Sequence, residues 1–176
     1  DGNLRADDSV ANHTLEGVIA DGSSLRDLQP DWLHRALDPA QPMVFLDTSD
    51  LDARERQRPG SNSRENPGEV EIVNQVVTEL LDHLPPKEIG VISPYDDQIG
   101  LLNSRHDEEN LEIKTVDGFQ GREKEVIVIS FVRSNNGQNL GFLTDERRLN
   151  VSLTRARRKL VMVGDAETLS HHTRYA

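Results

Sequence analysis

A chain of 176 residues with 31 Asp and Glu against 20 Lys and Arg, a formal net charge of −11 and no cysteine is of single-domain size, and disulfide frameworks and thiolate metal sites are excluded. Only 35% of the residues are apolar and 4% aromatic, so an aliphatic core is expected; no run approaches the ~18 apolar residues of a membrane span, and the polar N-terminus DGNLRADDSV lacks the pattern of a signal peptide. These features suit a cytoplasmic protein with no membrane partner, and the 16 Arg and 4 Lys among its bases suit a salt-rich, halophilic cytoplasm, where a Debye length of ~3 Å at 1 M screens the self-repulsion of an acidic surface.

In chain order, residues 1–41 show only fragments of pattern around Leu25–Leu37, with Trp32 expected to anchor on a sheet. PMVFLD (42–47) reads as the first strand. Residues 49–68, SDLDARERQRPGSNSRENPG, are almost free of apolar side chains and read as a mobile loop. EVEIVNQVVTELLDHL (69–84) has apolar residues at 70, 73, 76, 77, 80, 81 and 84, the rhythm of an amphipathic helix, and Pro85-Pro86 ends it. EIGVIS (88–93) is the second strand, DDQIGLLNSRH a weaker helix, LEIKTV (111–116) the third strand and EVIVISFV (125–132) the fourth. A helix is predicted over 145–157, with Leu149, Leu153 and Ala156 inward, before the fifth strand, KLVMVGD (159–165). Residues 171–176 read as a tail, in which His171-His172 is solvated rather than metal-binding. Near-continuous Val/Ile runs separated by helices predict an α/β fold, with a mostly parallel sheet of about five strands covered on both faces.

Open sheets of this kind bind ligands at the carboxyl ends of their strands. Three polar turns follow the strands and are expected on a common edge: Ser93-Pro94-Tyr95, Asp117 to Glu123, and Arg133 to Gly137. Backbone N–H groups and hydroxyls in such turns suit phosphates. Gly118 and Gly121 allow close backbone approach, although a G-x-x-G run is also an ordinary tight turn. The stretch DERRLNVSLTRARRKL (145–160) carries six of the 20 bases. On a helix, Arg148 and Arg155 share nearly one face. Arginine there suits either a phosphate or the negative pole of the helix. Yet no Gly-Lys pair occurs, which excludes a G-x-x-x-x-G-K-[ST] phosphate loop. A phosphate-facing sheet without that loop reads as half of a site.

TVDGFQGREKEVIVISFVRSN, followed by GFLTDERRLNVSLTRARRKLVMVGD, resembles motifs V and VI of superfamily 1 helicases, nearest to the Upf-type branch of DNA and RNA helicases. IGVISPYDDQ resembles that branch's strand and Ser/Thr-Pro-Tyr-x-x-Gln segment. Ser63-x-x-Asn66-x-x-Glu69 resembles its Ser/Asn/Glu opening of the next helix. The resemblance covers residues 42–170 and implies the second, C-terminal RecA-like motor domain, a three-layer α/β/α fold of P-loop NTPase type. In that family ATP and Mg²⁺ lie between two such domains, and the first supplies the phosphate loop, the acidic pair for Mg²⁺ and the base.

By motif alignment, the resemblance assigns Arg155 as the arginine finger. It gives Gly121 by its backbone, Glu123 by its carboxylate, and Arg122 to the nucleotide. Ser93, Pro94, Thr115 and the turn Arg133-Ser134-Asn135 are implied to face single-stranded DNA or RNA. Arg157, Arg158 and Lys159 are left to the helix end. Exposed aromatics are scarce: Tyr95 and Phe119 are the only candidates near that face, with Phe119 expected in the core. No metal ligands are implied. The first domain's motifs, and the family's other γ-phosphate arginine in a Gln-Tyr-Arg-like motif, have no counterpart in this sequence. The expectation is therefore a part of a helicase that is inactive as an ATPase alone. A non-catalytic nucleic-acid- or protein-binding module is the alternative. A further one is a metal-dependent nuclease, since Asp96 or Asp97 with Glu112-Ile113-Lys114 has the residue types for Mg²⁺-assisted hydrolysis.

Overall fold

A computed structural model of the chain describes residues 14–15, 18–19, 30–119 and 121–170. Most of the 1–41 segment before Pro30, Gln120 of the GFQG turn and the 171–176 tail with His171-His172 lie outside the described residues. Five strands, β1 (Met43–Asp47), β2 (Ile89–Ser93), β3 (Glu112–Thr115), β4 (Lys124–Ser130) and β5 (Ala156–Gly164), form one parallel sheet in the order β1-β5-β4-β2-β3.

The runs are continuously apolar because alternate residues enter two different cores. Val91, Val126, Val128, Val161 and Val163 pack against α1 (Asp31–Leu37), α2 (Pro67–Leu81) and α3 (Asp96–Asn103). Ile92, Ile127, Ile129 and Leu160 face the opposite way, toward Phe119, Phe131, Leu143, α4 (Glu146–Leu153) and α5 (Ala166–Ser170). The result is the RecA-like three-layer α/β/α fold. Trp32 packs, half-buried, against the first core. Among the described residues no helix is long and apolar enough to cross a membrane.

Two sequence expectations are corrected. The helix read over 145–157 ends at Leu153, and β5 begins at Ala156. Arg157 and Arg158 are therefore strand residues, drawn into extended chain by pairing with Glu123 and Glu125 beside them. Lys159 does serve a helix end, but that of α1: its buried ammonium donates to the carbonyls of Asp38, at 2.9 Å, and Gln41, at 2.6 Å. Arg148 and Arg155 consequently do not share a helix face.

Secondly, the three turns do not lie on one edge of the sheet. Between β3 and β4 the chain crosses the face of β2 in eight residues, with Phe119 laid over Gly90. A Cβ on Gly90 would stand 2.5 Å from Phe119 Cζ, so this close crossing requires glycine. The crossing carries Gly121, Arg122 and Glu123 to the amino edge, roughly 20 Å from the carboxyl edge by the length of β4 at ~3.3 Å per residue.

Residues 49–68, expected as a mobile loop, contain a short antiparallel bridge between Arg56 and Glu65. Glu65 is 1% exposed, and its carboxylate meets Arg56 and Arg58. Arg58 also donates to Asp97 at the start of α3, at 2.7 Å, which holds the Asp97 carboxyl below the usual carboxylate range.

Candidate nucleotide and nucleic-acid faces

The residues assigned to nucleotide by resemblance gather at the amino edge. Thr154 caps α4, its hydroxyl donating to Asn150 O at 2.9 Å. The chain then reverses into β5, and Arg155, at the reversal, folds its side chain back. Its Nε donates to Val151 O at 2.9 Å, Nη1 to Arg122 O at 3.4 Å and Nη2 to Thr154 Oγ1 at 3.1 Å. Lys124 N donates to Arg155 O at 3.1 Å, which ties the two segments together. Gly121 has φ +77° with nothing within 4 Å of where a Cβ would stand, so the glycine is required by backbone conformation, and the space beside it is open.

The other two residues of this group are bound by ion pairs. Glu123 meets Arg157 at 3.3 Å. Arg122 meets Glu112 at 2.6 Å, and Lys124 meets the other oxygen of the same carboxylate at 3.0 Å. Burial works to raise the Glu112 pKa, but the hydrogen bonds from Lys124 and Arg122 outweigh it and the carboxyl stays below its usual range. Glu112 is thus a structural anion at the amino edge, whereas Asp97 lies at the carboxyl edge with Arg58. The nuclease pattern of Asp96 or Asp97 with Glu112 and Lys114 is not assembled, because its carboxylates stand at opposite ends of the strands.

The residues assigned to nucleic acid gather at the carboxyl edge, but several side chains are already engaged. Glu55 accepts from Ser134 N at 2.9 Å and Asn135 Nδ2 at 3.0 Å, and faces Arg133 Nε at 2.9 Å. Arg133, 6% exposed, also donates from Nη1 to Tyr95 Oη at 3.2 Å. Ser134 Oγ donates to buried Asp165 at 2.6 Å. The turn Arg133–Asn135 is therefore an internally braced structure, and these guanidinium and hydroxyl groups hold it in shape. Ser93 lies at the end of β2, its buried Oγ without a hydrogen-bond partner among the described residues; Pro94 and Thr115 are half-buried beside it. Tyr95 and Phe119 are both buried, at 2% and 0% exposure, which corrects Tyr95 as an exposed aromatic. The exposed ring on this side is Phe142, at 54%.

Beneath this edge Asn66 and Glu69 of the Ser/Asn/Glu segment and Gln98 of the Tyr-x-x-Gln segment form one buried network with Ser130. Gln98 Oε1 accepts from Asn66 N at 2.8 Å, and Gln98 Nε2 donates to Ser130 Oγ at 2.8 Å. Glu69 accepts from Ser130 Oγ at 2.6 Å and Val132 N at 2.9 Å. Burial drives the Glu69 pKa up to about 8, against the lowering effect of those two donors. Sequence reasoning gave no role to Glu55 or Phe142. Glu55 lies in a stretch without periodicity and left no signal, whereas Phe142 follows a glycine in a motif already singled out.

The AAA domain family AAA_12 matches residues 1–167. DNA-binding protein SMUBP-2 of Rattus norvegicus is 39% identical over 178 residues, with 97% of this chain and 16% of the relative covered. DNA polymerase alpha-associated DNA helicase A of Saccharomyces cerevisiae is 42% identical over 176 residues, covering 96% of this chain and 25% of the relative. The uncharacterized ATP-dependent helicase MJ0104 of Methanocaldococcus jannaschii is 38% identical over 174 residues, covering 98% and 24%. The chain thus spans 16% to 25% of the length of these curated relatives. The chain belongs to this AAA domain family, as a domain homologous to superfamily 1 ATP-dependent helicases.

Proposed function

We propose that this is the second, C-terminal RecA-like motor domain of an ATP-dependent helicase of the Upf-type branch. In this reading the domain turns its amino edge to ATP and Mg²⁺ held mainly by a first RecA-like domain, and its carboxyl edge to single-stranded DNA or RNA. The observation that carries it is the docking of Arg155 on the carbonyls of Val151 and Arg122, next to the open space at Gly121. Among the described residues this guanidinium is held by backbone carbonyls and one hydroxyl and meets no carboxylate, so its charge remains available to an anion.

The group fits a nucleotide phosphate: a cation oriented by its own helix end stands beside an unobstructed glycine backbone, on the edge away from the internally braced turn. Bound ATP supplies a γ-phosphate for transfer to water. Arg155 would stabilise charge developing on its oxygens, a contribution of about 10³–10⁵ in rate for arginine fingers of this kind. Gly121 would offer its backbone, and Glu123 and Arg122 the flanking charges. Arg157 orients Glu123 in that role.

The domain alone lacks the phosphate loop, so the reading takes it to be inactive as an ATPase by itself. It also takes the protein to work in a cytoplasm of high salt, an inference supported by the −11 charge and the excess of Arg over Lys. The test is single-strand-stimulated ATP hydrolysis by this chain and by a protein in which a phosphate-loop domain precedes it. Hydrolysis in the longer protein alone supports the split site. Hydrolysis in neither would favour a non-catalytic binding module.

A further inference from the structure

Phe142 is one of the few large apolar side chains left exposed among the described residues, and its turn is tied to its surroundings at several points. It lies on a short 3₁₀ turn, Gly141–Thr144, closed at one end by Asn139 Oδ1, which accepts from Gly141 N at 2.9 Å, and at the other by Asp145 N, which donates to Phe142 O at 3.2 Å. Behind the ring is Tyr95, with centroids 5.6 Å apart and planes inclined at 53°. The Tyr95 hydroxyl is fixed by Arg133, and Arg133 by Glu55.

Gly141 has φ +54°, and a Cβ on it would stand 2.3 Å from Arg133 Nη1 and 2.8 Å from Tyr95 Oη. Only glycine lets the backbone settle so closely on that pair. The turn is thus built to present one aromatic face outward while its other side is packed.

The surroundings fit a nucleotide unit. Phe142 and Pro94 line a small apolar hollow that continues, through Val116, Asp145 and Arg148, into an open cleft of about 350 Å³. Arg148 is pinned there by Asp117 at 3.0 Å and Asp145 at 3.7 Å. Arg147 lines the same cleft, and its exposed side chain has no ion pair or hydrogen bond among the described residues. An aromatic face and an uncommitted guanidinium across one cleft match a base and its phosphate. A single exposed ring beside paired charges does not make the contiguous apolar patch of a protein interface.

Charge argues the same way. A chain at −11 repels a polyanion, and phosphate contacts weaken further with salt, whereas stacking does not depend on counterion release.

We propose that Phe142 is a base-stacking platform for single-stranded nucleic acid, with the adjoining phosphate directed to Arg147. The proposal rests on the helicase-domain reading and adds a contact residue to its carboxyl edge. The test is binding of this chain to fluorescent oligothymidylate and oligouridylate, read by anisotropy from low to molar salt. Phe142→Ala and Phe142→Leu are expected to weaken binding about tenfold, by the same factor at every salt concentration, and Phe142→Trp to restore it. Arg147→Gln should weaken binding and reduce the log–log salt slope by about 0.7, one phosphate contact.

Unchanged binding in Phe142→Ala, or normal binding in Phe142→Leu, would overturn the stacking site and leave the helicase reading intact. An unchanged salt slope in Arg147→Gln would overturn its phosphate role. If the unaltered chain bound neither oligonucleotide, the proposal would fall together with the nucleic-acid reading. The exposure of both side chains makes unfolding of these variants unexpected, and circular dichroism checks it.

Discussion

The Glu69 carboxylate accepts the backbone N–H of Val132 at 2.9 Å, and Val132 is held at φ +72°, a conformation that a β-branched residue almost never adopts. Asn66 Nδ2 donates to the carbonyl of the same residue at 3.1 Å. Both backbone groups of a strained position are thus held by side chains from the first turn of α2. Strain of this kind costs on the order of 1–3 kcal/mol, which hydrogen bonds inside a dry core can offset. Its effect is to turn the chain sharply after β4 and deliver Arg133, Ser134 and Asn135 to Glu55.

This clamp predicts a pH dependence of stability. Burial raises the Glu69 pKa from 4.5 to about 8, so the folded protein keeps a proton that the unfolded chain has lost above about pH 4.5. Where the folded state binds more protons, stability falls as pH rises. The contribution is fully present below the unfolded pKa and is lost as pH passes 8. Glu69→Gln should remove that decline, as read by urea midpoints between pH 5 and 8.5. A decline of equal slope in the variant would contradict the assignment.

Lys159 should act with the opposite sign in a different window. Burial lowers its pKa from 10.5 to about 8, with Asp38 opposing. Between those values the unfolded chain binds more protons, so stability from this group rises with pH. Lys159→Met should abolish the rise seen when urea midpoints are followed from pH 8 to pH 10.5.

Asn66 combines a helix cap with three buried contacts, to Ala53 O, Val132 O and Glu69. Asn66→Ala removes the cap, worth about 1 kcal/mol, and leaves buried partners unsatisfied at about 1–3 kcal/mol. A loss of about 2–4 kcal/mol in urea unfolding is expected. A change under about 0.5 kcal/mol would show that water or a neighbour replaces the side chain.

Gly90→Ala should destabilise by about 1–3 kcal/mol, the usual cost of overpacking, because the new methyl meets Phe119 Cζ at 2.5 Å. The strain falls on the crossing segment that carries Gly121 and Arg122. Faster hydrogen exchange at residues 116–123 than elsewhere is the accompanying signature.

Much of the fold was legible because Val and Ile runs buried on both faces have a local signature, as in EVIVISFV. The α2 pattern was equally plain. What was not legible depended on partners distant in sequence. TRARRKL continues as helix by local rhythm, and only Glu123 and Glu125 of β4 draw Arg157 and Arg158 into extended chain. The separation of the two residue groups onto opposite edges depends on Phe119 crossing at Gly90, a contact no spacing rule reports. Tyr95 was read as exposed because Arg133 and Gly141, which enclose it, lie about 40 residues away. The Glu55 brace is hidden in a stretch that reads as featureless.

The most direct test of the account is single-strand-stimulated ATP hydrolysis by a protein in which a phosphate-loop domain precedes this one, with and without Arg155→Ala. The expected result is a fall in kcat of about 10³-fold or more, with nucleotide affinity changed far less and the fold intact, since among the described residues the Arg155 side chain bonds only to backbone carbonyls and one hydroxyl. Wild-type kcat in Arg155→Ala would contradict it.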